Sequence, residues 1–307
     1  MTGLTYAGPP ARTEQNILLV HQFMKSPTQI ARRLRQLTDE RFIADAILTK
    51  RFVATGGGVF YTTGEQLFAP GHARPVAQGA EYRKVVLGGG EIVAAKTDKL
   101  GIATNVYDEA IARQVRQPVD DAFTLLSNTI VADVDATAMS VITSSITQTH
   151  NSASKWTDGT AKAILASVMR PKAKMANLKI GLNPDTVVVD EELWTEAMLA
   201  FVDAGYTPKE TVTSNPALTG EFPVIGGMKW LTSPHAIEGI PLVLDSKRLG
   251  GMGDEDLQSP GFVKTGNGAE VFSERLQGVD GYGLRARRVT VAVVDEPRAG
   301  FKVTGAK

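Results

Sequence analysis

The hydrophobic pattern of the chain is clearest between residues 118 and 145. Apolar side chains recur there at spacings of three and four, the period of a helix with one buried face. Pro118 suits the first turn of a helix, and Asp120 and Asp121 suit the positive end of its dipole. About 26 residues at 1.5 Å each would give a rod of roughly 40 Å. The residues that we predict to form its buried core are Val119, Phe123, Leu126, Ile130, Val134 and Val141.

The second half of the chain alternates between helix-type and strand-type patterns. After a polar stretch at residues 148–158, apolar positions predict a helix that Pro171 should kink or end. A strand at Thr186–Val189 precedes a helix that Asp190 should cap. These elements predict a mixed α+β fold. Further strands are predicted at residues 222–225, 228–231, 240–244, 284–294 and 301–304.

Residues 52–100 differ in kind, because they contain nine of the chain's 30 glycines and show no helical period. Short β-type runs flank the glycine triplet at residues 88–90, as in a hairpin. If residues 57–93 form one two-legged excursion, each leg could reach roughly 50–60 Å. An isolated two-stranded ribbon is marginal in water, and its edges need hydrogen-bonding partners. We therefore expect another subunit to support this ribbon.

The N-terminal residues combine an extended stretch through Pro9 and Pro10 with a short basic helix. Three interpretations of the helix stay open: packing on its own core, an arm that reaches a neighbouring subunit, and contact with nucleic acid. Its apolar positions are Ile30, Leu34 and Leu37, and its basic positions are Arg32, Arg33 and Arg35.

Composition excludes several classes of function. The 307 residues contain 33 basic and 33 acidic side chains, so no global field attracts nucleic acid. There is no cysteine, which excludes disulfides, thiolate catalysis and cysteine-bound metal. No apolar run approaches the roughly 20 residues that cross a bilayer, and no secretion signal is visible. We expect a protein that is made in a cytoplasm and has no membrane partner.

The residue types that carry chemistry do not combine into a catalytic motif. The glycine triplets at residues 56–58 and 88–90 lack the lysine and the following helix of a phosphate loop. Asp254, Glu255 and Asp256 fit no calcium-binding register, so we interpret them as a solvated loop. We therefore expect no enzyme, no cofactor and no metal site. The four histidines, which lack metal-ligand spacing, are His21, His72, His150 and His235.

The order of the parts resembles the major capsid proteins of tailed bacteriophages with the Hong Kong 97-type fold. In that order come an arm, a glycine-rich β excursion, a long helix, a mixed domain and a returning strand. The likeness covers nearly the whole chain, and its C-terminal phrases are similar to those of actinobacterial phages. The phrases that carry it are VAQGAE at residues 76–81, KLGIATNVYDEA at 99–110, NPDTVVV at 183–189, YGLRARRVT at 282–290, EP at 296–297 and FKVTG at 301–305.

The resemblance implies a structural protein that self-assembles into the hexamers and pentamers of an icosahedral head around double-stranded DNA. By this likeness the chain divides into an N-terminal arm with a short helix (1–54), an extended loop (55–93), a peripheral domain with the long spine helix (94–148), an axial domain (149–280) and a return strand of the peripheral domain (281–307). The loop would contact a neighbouring subunit, and the contact residues that we expect are Phe60, Tyr61, Glu81, Tyr82, Arg83 and Lys84.

The same resemblance implies partners. A portal would replace one pentamer, a separate scaffolding protein would guide assembly, a decoration protein is an open possibility, and packaged DNA would be contacted non-specifically. Some relatives form Lys–Asn cross-links, and Lys84 lies in the corresponding region. No partner asparagine or catalytic acid matches, so we expect no covalent linkage. Two alternatives remain: an encapsulin-type shell and, more remotely, an enzyme whose site is assembled only in space.

Overall fold

The computed structural model describes residues 14–38, 42–63, 74–85, 90–205 and 225–307. It confirms the mixed α+β fold. The helices are α1 (Glu14–Met24), α2 (Pro27–Thr38), α3 (Ile43–Ile47), α4 (Asp108–Gln114), α5 (Gln117–Ser145), α6 (Ala161–Asn177), α7 (Glu191–Asp203) and α8 (Ser246–Leu249), with a 3₁₀ turn at Pro297–Ala299. The strands are β1 (Lys50–Ala54), β2 (Gly58–Thr63), β3 (Glu91–Lys96), β4 (Asp98–Tyr107), β5 (Thr149–Asn151), β6 (Thr186–Val189), β7 (Lys229–Thr232), β8 (Leu242–Leu244), β9 (Gly250–Glu255), β10 (Val263–Lys264), β11 (Ala269–Leu276), β12 (Gly281–Val294) and β13 (Gly300–Thr304).

The chain folds into two compact units, and α5, β9 and β12 each run from one unit into the other. Residues 254–280, which the resemblance assigns to the axial domain, group with the unit that contains the first half of α5. The predicted domain boundaries are therefore not the boundaries of these packing units. Unit 1 comprises Met1–Phe42, Thr97–Val134 and Asp254–Thr290, and unit 2 comprises Ile43–Lys96, Asp135–Gly253 and Val291–Lys307.

Unit 1 is built on the first ten residues of β12. Strand β4 pairs antiparallel with them, from Gly281 opposite Tyr107 to Thr290 opposite Asp98. Strand β11 pairs with their other edge, and β10 follows β11. Of these ten residues only Arg285 is exposed, so this part of β12 is the centre of the sheet.

Two arginines of β12 are buried and are neutralised inside unit 1. The fully buried Arg288 donates to both carboxylate oxygens of Asp254, at 2.9 and 3.1 Å. Arg287 pairs with Glu270 at 2.7 Å. Buried charges require partners of this kind. The interpretation of Asp254 as part of a solvated loop is therefore wrong, because Asp254 lies in β9 and its carboxylate neutralises a buried cation.

Helices α1, α2 and α4 and the first half of α5 complete unit 1. The predicted basic helix is confirmed as α2, which buries Ile30 and Leu34. Helix α1 was not predicted. In α1 the four consecutive apolar residues 17–20 obscure the helical spacing of Val20, Phe23 and Met24, and Leu18 is 61% exposed. Its Phe23 meets Phe123 of α5 edge-on, with 6.0 Å between ring centroids.

Unit 2 contains a five-stranded sheet in the order β5-β13-β8-β6-β7. The β5–β13 and β6–β7 pairs are parallel, and the two central pairs are antiparallel. Helix α6 packs beside the sheet and α7 packs on α6. The three tryptophans of the chain meet here: Trp230 lies 6.0 Å from Trp156 and 5.9 Å from Trp194, measured between ring centroids. These rings form an aromatic part of the core of unit 2.

Most predicted elements of this region are confirmed, with two corrections. The strands at residues 186–189, 284–294 and 301–304 correspond to β6, β12 and β13, and those at 228–231 and 240–244 overlap β7 and β8. The strand predicted at 222–225 lies almost wholly outside the described residues. Helix α6 does not end at Pro171. Asp190 is the N-cap residue of α7, but its side chain makes no capping hydrogen bond.

The continuation of α6 past Pro171 has a packing explanation. Pro171 is buried on the same face as Ile164, Val168 and Met175. Proline removes one backbone hydrogen bond from a helix interior. Tertiary packing of the apolar face supplies most of a helix's stability, so the helix continues to Asn177 despite this loss.

Helix α5 confirms the long predicted helix. Of the helices that the structure describes, α5 alone is long and apolar enough to cross a bilayer by length and composition, a test that the core helix of a soluble protein also passes. In unit 2 its Asp135 is 2% exposed and accepts hydrogen bonds from the backbone N–H groups of Ile43 and Ala44, at 3.1 and 2.9 Å. Asp135 therefore caps α3. Burial raises the pKa of Asp135, and the two N–H donors oppose that effect.

Candidate interaction surface

A two-stranded ribbon is the most distinctive surface of unit 2. Strands β2 and β3 pair antiparallel, from Gly58 opposite Lys96 to Thr63 opposite Glu91. The inner face of the ribbon is packed: Val59 is 4% exposed and joins a small apolar cluster with Val293. The two-stranded ribbon therefore packs against the rest of unit 2 through its inner face.

The outer face of the ribbon is apolar and uncovered. Phe60 is 79% exposed and Ile92 is 73% exposed. Phe60 lies opposite Ala94, and Thr62 lies opposite Ile92. Phe60 and Ile92 are therefore diagonal neighbours on one face, within reach of each other. We call Phe60, Ile92 and Ala94 the outer patch.

Residues 74–85, which follow on the excursion, are all exposed. The segment contains a turn in which the Ala80 N–H donates to the Ala77 carbonyl at 3.0 Å, with Gly79 at φ +83°. The predicted contact residues Glu81, Tyr82, Arg83 and Lys84 belong to this segment, and Tyr82 is 81% exposed. The hairpin turn predicted at residues 88–90 lies mostly outside the described residues. Glu91 and its successors pair with β2, a strand about 30 positions earlier.

A cavity of about 460 Å³ opens beside the outer patch. Its polar side contains the Lys50–Asp295 ion pair, and Glu296 is held by a two-point contact with Arg298 at 2.6 Å. Within the described part of the chain, Asp295 Oδ1 is buried and has no hydrogen-bond partner. The lining residues are Lys50, Phe52, Phe60, Tyr61, Thr62, Ile92, Arg248, Asp295 and Glu296.

Tyr61, one of the predicted contact residues, lies on the packed side of the ribbon. Its ring packs against the apolar cluster around Val59. Burial, and then the negative charge of Asp295, raise the pKa of Tyr61. Tyr61 is thus only partly available to a neighbour, whereas Phe60 is almost fully available.

The predicted core of the long helix is largely buried. Val141 is partly exposed. The sequence pattern missed Met139 and Ile142, which are at most 1% exposed and continue the stripe. The predicted core residues that are at most 2% exposed are Val119, Phe123, Leu126, Ile130 and Val134.

The histidine and acidic side chains do not gather into one site. His21 Nδ1 hydrogen-bonds the Tyr282 hydroxyl at 3.2 Å, and His72 lies outside the described residues. Across the described ranges, no group of three or more His, Asp or Glu side chains could hold a metal ion. Arg33 of the basic helix forms an ion pair with Asp120 at 3.6 Å, which favours packing within unit 1 for that residue.

The comparisons with known proteins agree with this architecture. A family model described as phage capsid protein matches residues 90–303, more than two thirds of the chain. The chain therefore belongs to the phage capsid protein family. No curated protein matches the sequence significantly.

Solved structures share the fold at low sequence identity. The capsid of cyanophage P-SCSP1u has a TM-score of 0.57 at 10% identity, covering 83% of this chain and 85% of the other. A structure from Gordonia phage Cozz has a TM-score of 0.56 at 14% identity, covering 86% of each chain. A virus-like particle from Pyrococcus furiosus has a TM-score of 0.55 at 11% identity, covering 90% and 98%.

The fold is the Hong Kong 97-type capsid fold, and the chain is a major capsid protein, a structural protein of the phage head. Fold similarity alone does not separate a phage head from other protein shells, because the archaeal virus-like particle shares it. The family match supplies the distinction.

Proposed function

We propose that copies of this chain form the hexamers and pentamers of an icosahedral head around double-stranded DNA, and that the ribbon lies across a neighbouring copy. The outer patch carries this proposal, because two large apolar side chains on a thin ribbon are left in water by their own chain. Burying such side chains contributes about 1.5–3 kcal/mol each. A second copy is the occupant that self-assembly supplies.

The exposed segment at residues 74–85 supports the same proposal. A single chain gives its Tyr82 little cover. We infer that Glu81, Tyr82, Arg83 and Lys84 contact the neighbour together with Phe60 and the accessible part of Tyr61. The aromatic side chains would be the buried anchors of the interface, and the charged side chains would form its polar rim. Lys84 serves there as a charged contact and not as a cross-linking group.

The predicted regions receive roles on this basis. Residues 1–54 would be the arm and its helices, 55–93 the extended loop, 94–148 and 281–307 the peripheral domain, and 149–280 the axial domain that meets its equivalents around the hexamer axis. The protein would perform no catalysis. Its further partners would be a portal, a separate scaffolding protein and an optional decoration protein, with assembly in the host cytoplasm.

Replacing residues 64–90 by Asn-Gly tests the proposal. Thr63 lies opposite Glu91, so a two-residue turn closes the ribbon in its present register. The variant keeps β2, β3 and the apolar cluster beneath them. We expect it to melt like the wild type and to form no closed shells in negative-stain electron microscopy. Normal shells would refute the assignment of the loop.

A further inference from the structure

Helix α6 carries an unusual concentration of positive charge. Its 17 residues contain four Lys or Arg residues and no acidic residue, in a chain with equal numbers overall. The buried face of α6 includes Ile164, Val168 and Met175. Lys162, Arg170 and Lys174 lie on the opposite side and are exposed, whereas Lys172 is half-buried and donates to the Gly226 carbonyl at 2.7 Å.

Three of these cations share one exposed face. Lys162, Arg170 and Lys174 are exposed, and at 100° per residue they fall within about 120° of one another on the helix circumference. They extend over about 18 Å of helix axis. Ala166 and Ala173 lie between them on the same face, so the surface between the charges is flat. We call these three cations the basic face.

Among the residues that the structure describes, the charge of the basic face is not neutralised by ion pairs. Elsewhere in unit 2, Arg298 pairs with Glu296, and Lys307 pairs with Glu192 and Glu238. Within the described ranges, no carboxylate pairs with a cation of the basic face. The nearest polar partner of Lys174 is His150, whose Nδ1 lies 3.2 Å from Lys174 Nζ.

His150 reports the local potential. Burial lowers the pKa of His150, and the positive charges of Lys174 and Arg170 lower it further. The ring thus lies beside two cations for which the described part of the chain supplies no ion-pair partner. A polyanion at this surface would remove that repulsion.

The helix dipole does not explain the basic face. A cation in the last turn, such as Lys174, is favourable there. Lys162 lies in the first turn, two residues after the N-cap Thr160, where the dipole disfavours positive charge. Lys162 therefore does not stabilise the helix through its dipole, but it would contribute to a binding surface that extends along the helix.

We propose that the basic face of α6 binds the phosphate backbone of double-stranded DNA inside the head, without base specificity. A duplex carries one charge per about 1.7 Å of its axis, so about ten phosphates pass along 18 Å of helix. The flat alanine surface between the cations admits a wide duplex and lacks the aromatic anchor typical of peptide binding. The choice of DNA as the polyanion rests on the proposed function.

The test compares two triple variants of the full-length, unassembled chain. One is Lys162→Gln/Arg170→Gln/Lys174→Gln. The control, Lys99→Gln/Lys229→Gln/Lys247→Gln, removes the same charge from other exposed positions. Fluorescence anisotropy with a labelled duplex gives the binding constant as a function of salt concentration, and poly-glutamate serves as the acidic-polypeptide probe.

The loss of three phosphate contacts should make the negative slope of log K against log salt concentration shallower by about 2.7. Between about 50 and 200 mM salt, the wild type and the control should then lose about 40-fold more affinity than the basic-face variant. The inference is wrong if the duplex does not bind, if both variants change equally, or if poly-glutamate binds through these cations in place of DNA. Shells in electron microscopy test the proposed function separately, because the basic-face variant should still assemble.

Discussion

Removing the outer patch should separate assembly from folding. The variant Phe60→Ser/Ile92→Ser deletes two side chains that are 79% and 73% exposed in the single chain. Exposed substitutions usually change the free energy of unfolding by less than about 0.5 kcal/mol. The subunit should therefore fold as before.

The expected effect on assembly follows from the same exposures. Complete burial of one large apolar side chain is worth about 1.5–3 kcal/mol, and roughly three quarters of each side chain remains to be buried. The two together would contribute about 2–4 kcal/mol per ribbon. Since about 1.4 kcal/mol is tenfold in an equilibrium constant, the concentration needed for assembly should rise roughly 30- to 700-fold.

Light scattering against protein concentration measures this threshold, and urea unfolding measures subunit stability. The control Leu178→Ser/Leu257→Ser removes two side chains that are 42% and 41% exposed elsewhere. An unchanged threshold in the Phe60/Ile92 variant would refute the role of the patch. A rise of equal size in the threshold of the control would show that the effect on assembly is not specific to the ribbon. A loss of more than about 1 kcal/mol in unfolding would mean that the two side chains pack within their own chain.

Three further substitutions test the fold that supports the ribbon. Asp135→Asn should flatten the pH dependence of the unfolding free energy, because folding raises the pKa of Asp135 and the folded state therefore binds this proton more tightly. In urea titrations, the wild type should lose stability relative to the variant as pH rises from about 4. Parallel pH profiles of the two proteins would contradict this. Phe123→Asp should prevent folding, because Phe123 is fully buried. The control Thr124→Asp, at the exposed neighbouring position, should fold. A soluble, stable Phe123→Asp protein would mean that this face of the helix is open to water. Gly251→Ala should lower the free energy of unfolding, measured by thermal denaturation, by about 1–3 kcal/mol, because the added Cβ would lie 2.3 Å from the Lys50 carbonyl oxygen. In the control Gly278→Ala, the added Cβ meets nothing within 4 Å. Equal stability of the two variants would contradict the close approach of β1 and β9.

Local periodicity made several elements predictable from the sequence. The long helix was predictable because its apolar positions keep a helical spacing over many turns. Strand β6 was predictable as a short apolar run, and all four of its residues are buried. Helix α1 was missed because the four consecutive apolar residues 17–20 obscure the helical spacing of Val20, Phe23 and Met24. The passage of α6 through Pro171 was missed because packing against the rest of unit 2 outweighs the lost hydrogen bond.

Non-local pairing limited the prediction of the candidate surface. The glycine triplet suggested a local hairpin, but β3 finds its partner in β2, across a long insertion. That register makes Phe60 and Ile92 diagonal neighbours on one face, and the spacing of residues along the sequence does not reveal it. The pairing of Asp254 with Arg288 is likewise a contact over 34 positions. Sequence order therefore indicated the fold, and the contacts required the structure.

Photo-crosslinking from position 82 gives the most direct test of whether a neighbouring copy supports the ribbon. Tyr82→benzoylphenylalanine chains, half of them labelled with a heavy nitrogen isotope, are assembled together, irradiated and analysed by mass spectrometry of the cross-linked peptides. The proposed packing predicts abundant pairs that combine one light and one heavy peptide. Cross-links confined to peptides of the same label would show residue 82 resting on its own chain, and would contradict the proposal.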